Sequence, residues 1–525
     1  MNKKKLKTSI SNIVPCVCYS TICGTITGCT IFLFKLGAKY AEELSRFLYQ
    51  TAKSSVPGVL ICILGSLALA LVMSILHKKV PECKGGGIPR SEGILRGIFP
   101  FHWLKTLLGT FFGSMLSFLA GLPVGSEGPA VLIGTSLGKM SLLPFKNRSA
   151  WNRYIMTGGA GAGFAVATGA PLAGILFALE EIHKRISPIL VLTVATAVSS
   201  ATFANQLLCH IFRLSPVLFD IGTLPAFGLE HTAYLLLLGL LTAVSVALFD
   251  GSILLFRRFT SYSKKIGPIP FKLLTVFLLS GFLGLFFADG AYSGHHLILH
   301  ILSHDMPVFL LLALFAIRLL MMLLITDSGA TGGIFIPTLA IGALSSALIA
   351  KFLVLLGMPS ELMVSVIFLG MCAFIGGTLR APLSASVLFL ELTGQFTGLS
   401  YVLLTVFVVN CFTELLHLTP FYDKALEEMT ETYHHNKEAI ISNFVLTVSD
   451  HAFVAGKAVR DIIWPYASVI VSITYANGHK IELDDGEQRL RAGDTILLRA
   501  RYYDKERILY QLRSLVGTEH EITIE

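Results

Sequence analysis

The segment Gly125-Ser-Glu-Gly-Pro129 sets a single carboxylate, Glu127, between glycines in the middle of apolar sequence. An acidic side chain at membrane depth costs roughly 2.5 to 3.5 kcal/mol on insertion scales, so Glu127 reads as functional before it reads as structural. Pro129 has no amide hydrogen to lose and its fixed φ suits the first turn of a helix, while Gly125 and Gly128 leave backbone N–H groups open to a ligand. The chemistry this predicts is competition for an anion site at a helix N-terminus. Ionised, Glu127 occupies the positive end of the helix; on taking a proton it vacates it for a free anion. The plainer alternative is an acid that only stabilises a helix start.

Other acids suggest a different chemistry. Glu180-Glu-Ile-His183 and Glu414-Leu-Leu-His417 both have the spacing that puts two metal ligands on one helix face, and together they raise a membrane di-iron oxidase as an alternative. A bridged di-iron site needs two more inward carboxylates, of which Glu391 is the one apparent candidate, and it leaves the glycine-rich helix starts unexplained. Iron content of the purified protein separates the two readings. The cysteines (Cys16, Cys18, Cys23, Cys29, Cys62, Cys83, Cys209, Cys372 and Cys411) lie almost wholly in apolar segments, so neither a disulfide framework nor a zinc site is expected. No cofactor, no metal and no enzymatic activity are expected.

The elements that must position these residues are membrane helices. With 54% apolar and 14% charged residues, the 525-residue chain holds far more apolar sequence than one soluble core requires. Mean hydropathy is +0.71. Long apolar stretches run at about 10–36, 59–76, 104–122, 189–208, 234–249, 273–288, 308–326 and 401–416, several of them near the length that spans a bilayer. The stretches 130–142 and 335–344 are too short and too rich in Gly and Pro to cross alone, and are expected to be half helices or broken helices.

A formal charge of +8 could suggest nucleic acid, but its distribution argues for topology. Basic residues gather in Lys3–Lys7, Lys78–Lys79, Lys146–Arg153, His183–Arg185 and Arg257–Lys272, whereas 289–306 holds no Lys or Arg. The positive-inside rule makes the clusters and the amino terminus cytoplasmic. No cleavable signal peptide is evident, and no nucleic-acid partner is expected. Trp103 and Trp151, at the starts of apolar runs, read as interfacial anchors. Arg318, inside an apolar span, reads as a buried counter-charge or a snorkelling residue.

The chain also repeats itself. Pro129-Ala-Val-Leu-Ile-Gly134 is echoed by Pro337-Thr-Leu-Ala-Ile-Gly342, 208 residues on, and Ala170–Glu180 by Ala381–Glu391, 211 residues on. Residues 10–430 therefore read as two related halves, about 10–208 and 230–430, of the kind that places interrupted helices at the bilayer midplane with N-termini facing an anion.

Three glycine-rich helix starts, Gly85-Gly-Gly-Ile-Pro89, Gly125-Ser-Glu-Gly-Pro129 and Gly332-Gly-Ile-Phe-Ile-Pro337, followed by Pro420-Phe-Tyr422, agree in order and spacing. Here residues 10–430 resemble the CLC family of chloride channels and proton/chloride antiporters. The resemblance implies an all-α polytopic bundle built as an inverted repeat with broken helices, assembled as a homodimer in the lipid bilayer, and moving chloride and protons. It implies that Glu127 is the external gating glutamate and Glu181 the internal glutamate that passes protons. Ile334 and Phe335 match the positions whose backbone N–H groups hold the central anion, and Tyr422 matches the tyrosine whose hydroxyl donates to it. Gly86 stands where members usually carry Ser, so the central ion loses one donor. The fluoride-specific branch usually lacks the internal glutamate, which argues against it here. A passive chloride channel of the same fold is the alternative function. The plainer readings are that Glu181 is a solvated charge beside His183, Lys184 and Arg185, and that Tyr422 is an interfacial aromatic. A cation pathway is disfavoured, since there is no TVGYG filter and helix N-termini present positive potential.

After Leu416 the pattern changes. Residues 437–525 alternate as soluble strands do: Val445–Ser449, Val469–Tyr475, an Asn477-Gly478 hairpin turn, Lys480–Leu483 and Thr495–Arg499, then a helix at Lys505–Val516. Gly456–Pro465, the hairpin and Arg491-Ala-Gly-Asp494 resemble the TrkA carboxy-terminal (RCK C-terminal) domain. That implies a small cytosolic α+β domain with a possible small-molecule ligand, following a transport domain at 1–436.

Overall fold

The computed structural model describes residues 3–524 except 146–148, 185, 217, 220–223, 263–268, 395, 397, 436–437, 466 and 484–485. Lys146, Arg148, Arg185, Lys264, Lys265 and Lys437, members of the basic clusters or at the start of the tail, lie outside the described residues.

Among the described residues seven helices are long and apolar enough to cross a membrane, and four shorter apolar helices accompany them. The helix Val56–Lys79 shows why such segments form and where they face. Ser55 accepts the Gly58 N–H at its start, Pro57 fits its first turn, and His77, Lys78 and Lys79 complement the carbonyl end. Its Leu60, Ile61, Leu64 and Leu71 side chains are exposed, which in water would be a large penalty and in lipid is none. The expected short helix at 130–142 is Glu127–Ser141, with 15 residues. The one expected at 335–344 is longer than its Gly content suggests: Phe335–Leu355 has 21 residues and is buried along most of its length, so packing outweighs the local cost of Gly342.

The echoed motifs hold each other. Asn152–Thr168 ends on Gly169 in the left-handed region and the chain restarts at Pro171–Phe177; Met363–Leu379 ends on Arg380 and restarts at Pro382–Thr393. The Glu391 carboxylate accepts Leu172 N–H and Ala173 N–H, each at 2.8 Å. Glu180 accepts Leu383 N–H at 3.2 Å and Ser384 N–H at 2.8 Å. Each half thus caps the broken helix of the other, satisfying amides that have no intrahelical partner, at about 1 kcal/mol per cap. Glu414 pairs with Arg380. These carboxylates therefore do structural work, and among the described residues no group of three or more His, Cys, Asp or Glu side chains is arranged to hold a metal, which removes the geometric basis of the di-iron alternative.

The tail forms a five-stranded sheet from β1 (Ile440–Thr447), β2 (Ala467–Thr474), β3 (Lys480–Glu482), β4 (Thr495–Tyr502) and β5 (Thr523–Ile524), in the order β3-β2-β4-β1-β5. All its pairings are antiparallel. Gly478, at φ +82°, supplies the hairpin turn between β2 and β3. The helix Lys505–Val516, capped by Asp504, closes the core of Phe444, Leu446, Ile496, Leu498, Ile508 and Leu512.

This sheet is seated directly on the membrane helices. Tyr154 Oη donates to Asp461 O and accepts Ile463 N–H at 3.2 Å, while Arg153 donates to Ile463 O at 3.2 Å and to Gln511 Oε1 at 2.6 Å. Trp151, expected at the membrane interface, is instead buried edge-on against Phe453 of the tail at 5.2 Å. An anchor and a seat share one signature in sequence, an aromatic at a helix start.

Lys457 lies in this seat, its Nζ over the Phe453 ring. Burial lowers its pKa from 10.5 to about 7 despite the opposing charge of Asp461. Below pH ~7 the ammonium is charged both seated and free, and its desolvation cost stands in full. Between about 7 and 10 the seated form sheds the proton that the free form keeps, so the seat strengthens as pH rises. Thermal unfolding followed by Trp fluorescence should show a midpoint that climbs through this window, and Lys457→Met should flatten it. A wild-type midpoint indifferent to pH would show that Lys457 does not titrate there.

Candidate anion pathway

The three glycine-rich starts converge on one place. Gly125 N–H donates to Gly333 O at 2.6 Å and Gly333 N–H returns to Gly125 O at 2.8 Å. Gly85 N–H donates to Gly329 O at 3.0 Å and accepts at its carbonyl from Gly332 N–H at 3.3 Å. A Cβ on Gly128 would stand 1.8 Å from Gly86 O, and one on Gly87, which has φ +83°, would stand 2.3 Å from Gly128 O. Only glycine allows backbones this close. The helices Ile88–Leu95, Glu127–Ser141 and Phe335–Leu355 therefore bring their positive ends together, a geometry that favours an anion between them.

Glu127 is the first residue of its helix and is 1% exposed. Ser126 Oγ donates to its Oε1 at 3.0 Å, and the carboxylate lies beside the backbone amides of Glu127 and Ile336. The carboxylate folds back over Gly125, where a Cβ would meet Oε2 at 2.3 Å. Lys35, whose Nζ donates to Val166 O at 3.1 Å, interacts electrostatically with Glu127.

Glu181 is also 1% exposed, which excludes a solvated charge. Its place in sequence beside Glu180 hid this. The segment Ala178–His183 is a π-helical turn, and that turn sends Glu180 to the Pro382–Thr393 helix while burying Glu181. Glu181 Oε1 has no hydrogen-bond partner among the described residues. Its electrostatic neighbours are Lys184, Glu92, Asp423 and Glu180. Lys184 bridges Glu92, at 3.6 Å, and Asp423. Arg96 holds Glu92 at 2.6 Å.

Gly86 and Ile334 share the wall of a 430 Å³ cavity with Lys84, Arg90 and Tyr433. Phe335 does not reach that wall; its ring stands edge-on to Phe164 at 5.0 Å. Tyr422 is buried, not interfacial, and lies in the neighbourhood of both Glu127 and Glu181. Glu127, Glu181, Gly86, Ile334 and Tyr422 are thus gathered around one region, with Phe335 just behind it.

Several members of the site were not found by reading the chain. Glu92 stands four residues after Ile88, in the first glycine motif, and Lys84 and Arg90 flank that motif; their charge in a glycine-rich helix start was the available signal. Nothing local links Glu92 to Asp423, more than 300 residues away. Arg318 does not snorkel: it is buried with the charges of Asp289 and Glu42 nearby, and it donates to the carbonyls of Asp289 (2.8 Å), Ala291 (2.7 Å) and Tyr292 (2.8 Å), clamping an irregular loop.

Comparison with known proteins places this geometry. Residues 68–414 match the family model described as voltage gated chloride channel. The H(+)/Cl(-) exchange transporter ClcA of Citrobacter koseri is 31% identical over 418 residues, covering 78% of this chain and 87% of that protein. ClcA of Salmonella paratyphi B is 31% identical over the same length and coverage. A slow cyanobacterial Cl-/H+ antiporter of known structure superposes with a TM-score of 0.73 at 28% identity, covering 79% of this chain and 98% of that one. A CLC-type fluoride/proton antiporter shares the fold, with a TM-score of 0.60 at 20% identity over 77% of this chain and 96% of that one. The helical part of this multi-pass membrane protein, with its broken helices and converging N-termini, has the CLC fold, and the chain belongs to the voltage-gated chloride channel (CLC) family.

Proposed function

We propose that the protein exchanges chloride, or a similar monovalent anion, for protons across a cell inner (plasma) membrane, with both termini cytoplasmic. The observation that carries this is the pair of fully buried carboxylates, Glu127 and Glu181, with Glu127 at the start of one of three helices whose N-termini converge. Anion and carboxylate cannot share one positive site, so protonation of Glu127 and anion entry are linked. In this scheme Glu127 exchanges between the site and the outer solution as it gains and loses a proton. Glu181 supplies the inner proton, and the anion passes near the backbone of Gly86, Ile334 and Phe335 and the Tyr422 hydroxyl. Lys84 and Arg90 draw anions into the inner cavity. The ClcA relatives, described as H(+)/Cl(-) exchange transporters, support the coupling to protons.

We read residues 1–436 as the transport domain, working as a homodimer with one pathway per subunit, and 437–525 as a TrkA-C-like regulatory module. The seat of the tail on Arg153 and Tyr154 supports a regulatory role, since a change in the tail reaches the membrane helices through these bonds. Anion efflux from proteoliposomes with simultaneous measurement of external pH tests the function: a chloride gradient should drive protons uphill. Brisk anion flux without proton movement would make the protein a passive channel instead.

Gly86 gives a separate prediction. A Cβ there would meet Gly332 O and Ile334 Cγ1 at 3.8 Å, ordinary contact, so Gly86→Ser is accommodated. A hydroxyl donor to a charged partner is worth about 1.5–3 kcal/mol, less if water already fills the role. Gly86→Ser is expected to bind chloride roughly 10-fold more tightly and to prefer it more strongly over nitrate and bromide. Identical anion selectivity in the two proteins would sink this.

A further inference from the structure

Beneath the tail helix Lys505–Val516, where it faces the cytoplasmic ends of Glu127–Ser141 and Asn152–Thr168, lies a cavity of about 300 Å³. It is separate from the inner end of the anion pathway and large enough for a small organic ligand. Lys139, Arg153 and Arg507 line it, and among the described residues no Asp or Glu does. Arg153 is fixed by Ile463 O and Gln511 Oε1, and Arg507 by Phe99 O. Lys139 is half-buried and has no hydrogen-bond or ion-pair partner among the described residues. Phe101 and Tyr510 add two aromatic rings to the wall.

Three cationic side chains on a partly apolar wall that carries no described carboxylate suit an anion that brings several acceptor oxygens. Fixed guanidinium groups suit phosphate oxygens, and the rings suit a flat organic moiety. The volume exceeds what a halide fills. We propose that this cavity binds an organic phosphate of about mononucleotide size, its phosphate on Lys139, Arg153 and Arg507 and its ring against Phe101 or Tyr510.

Occupancy has a short route to the pathway. Arg507 donates to Phe99 O, and the Phe99 ring lies under the Arg90 guanidinium at 4.6 Å. Arg90 stands in the helix that follows Gly86 and in the wall of the inner cavity. A ligand that draws Arg507 away from Phe99 therefore acts on the first glycine motif. This coupling rests on the regulatory reading of the tail; the binding site does not.

Equilibrium binding of ATP, AMP and pyrophosphate to the purified full-length protein tests the site directly. At least one should bind saturably, once per chain, and Lys139→Gln, which has no hydrogen bond or ion pair to lose among the described residues, should weaken it at least ~10-fold. Arg507→Gln should do likewise. If no soluble phosphate binds, but phosphatidylglycerol nanodiscs raise the thermal stability of the wild type and not of Lys139→Gln, the same site is filled by a lipid headgroup. Absence of both effects, or equal binding by Lys139→Gln and wild type, overturns the site. Because binding is read without transport, that failure is distinct from failure of the antiport reading; binding that leaves anion flux unchanged overturns the coupling through Arg507.

Discussion

Reconstituted Glu181→Gln protein is expected to carry anions at a rate close to wild type while moving protons at least ~100-fold more slowly under a chloride gradient, the loss typical of removing a positioned proton-transfer group. Gln keeps the size and polarity of Glu but cannot carry a proton. The buried position makes this specific: Glu181 is 1% exposed, and its electrostatic partners Lys184, Glu92 and Asp423 form a charged cluster leading away from it. Its neighbour supplies the control. Glu180 caps the Pro382–Thr393 helix through the amides of Leu383 and Ser384, so Glu180→Gln should cost about 1 kcal/mol of stability and leave coupling intact. Simultaneous records of anion efflux and external pH decide it. Equal proton movement by Glu181→Gln and wild type would remove Glu181 from the route even though the fold stands.

The family resemblance singled out Glu181 over Glu180, but the local pattern could not, because a π-helical turn with no composition of its own makes Glu180 a helix cap and buries Glu181. The repeat was legible, and so were most of the spans, since apolar runs of bilayer length and paired motifs at nearly equal offsets are statements about order along the sequence; Ser360–Leu379 was missed and Phe335–Leu355 was read as too short. The glycine starts were legible as motifs. Their meaning as three backbones in contact needed coordinates, because only the 1.8 Å approach of a Gly128 Cβ to Gly86 O shows why no other residue fits there. Strands β1 to β4 of the tail were found from alternation, with β1 beginning five residues earlier than read, and its helix with the same bounds, whereas the two-residue β5 was missed. Trp151 went the other way. A tryptophan before an apolar helix fits a membrane interface and a protein seat equally well, and what separates them is Phe453, some 300 residues later.

The reciprocal caps explain why the repeat persists in sequence at Glu180 and Glu391 as well as at the glycines. A broken helix inside a membrane exposes amides that water cannot reach, and each half meets that need in the other. Removing either acid would leave two helix-start amides without their cap. The anion site uses the same unmet need in the opposite sense, leaving amides at helix N-termini free so that a mobile anion or the Glu127 carboxylate satisfies them.

Glu127→Gln should therefore remove both the competition and the proton acceptor at the outer end. The substituted side chain is neutral at every pH, and it no longer contends with an anion for the positive ends of the Ile88–Leu95, Glu127–Ser141 and Phe335–Leu355 helices. Anion flux is expected to persist, to lose its dependence on external pH, and to run with proton movement at least ~100-fold below wild type. Gly125→Ala gives an independent check of the geometry, since its Cβ would stand 2.3 Å from Glu127 Oε2 and must displace the carboxylate while leaving it titratable. That protein should conduct anions faster than wild type at neutral pH and still respond to pH. The two outcomes differ in one measurable quantity, the slope of anion flux against external pH, which should be flat for Glu127→Gln and present for Gly125→Ala. A slope in Glu127→Gln equal to that of wild type would place the pH sensor on another group and leave Glu127 as a helix-start acid.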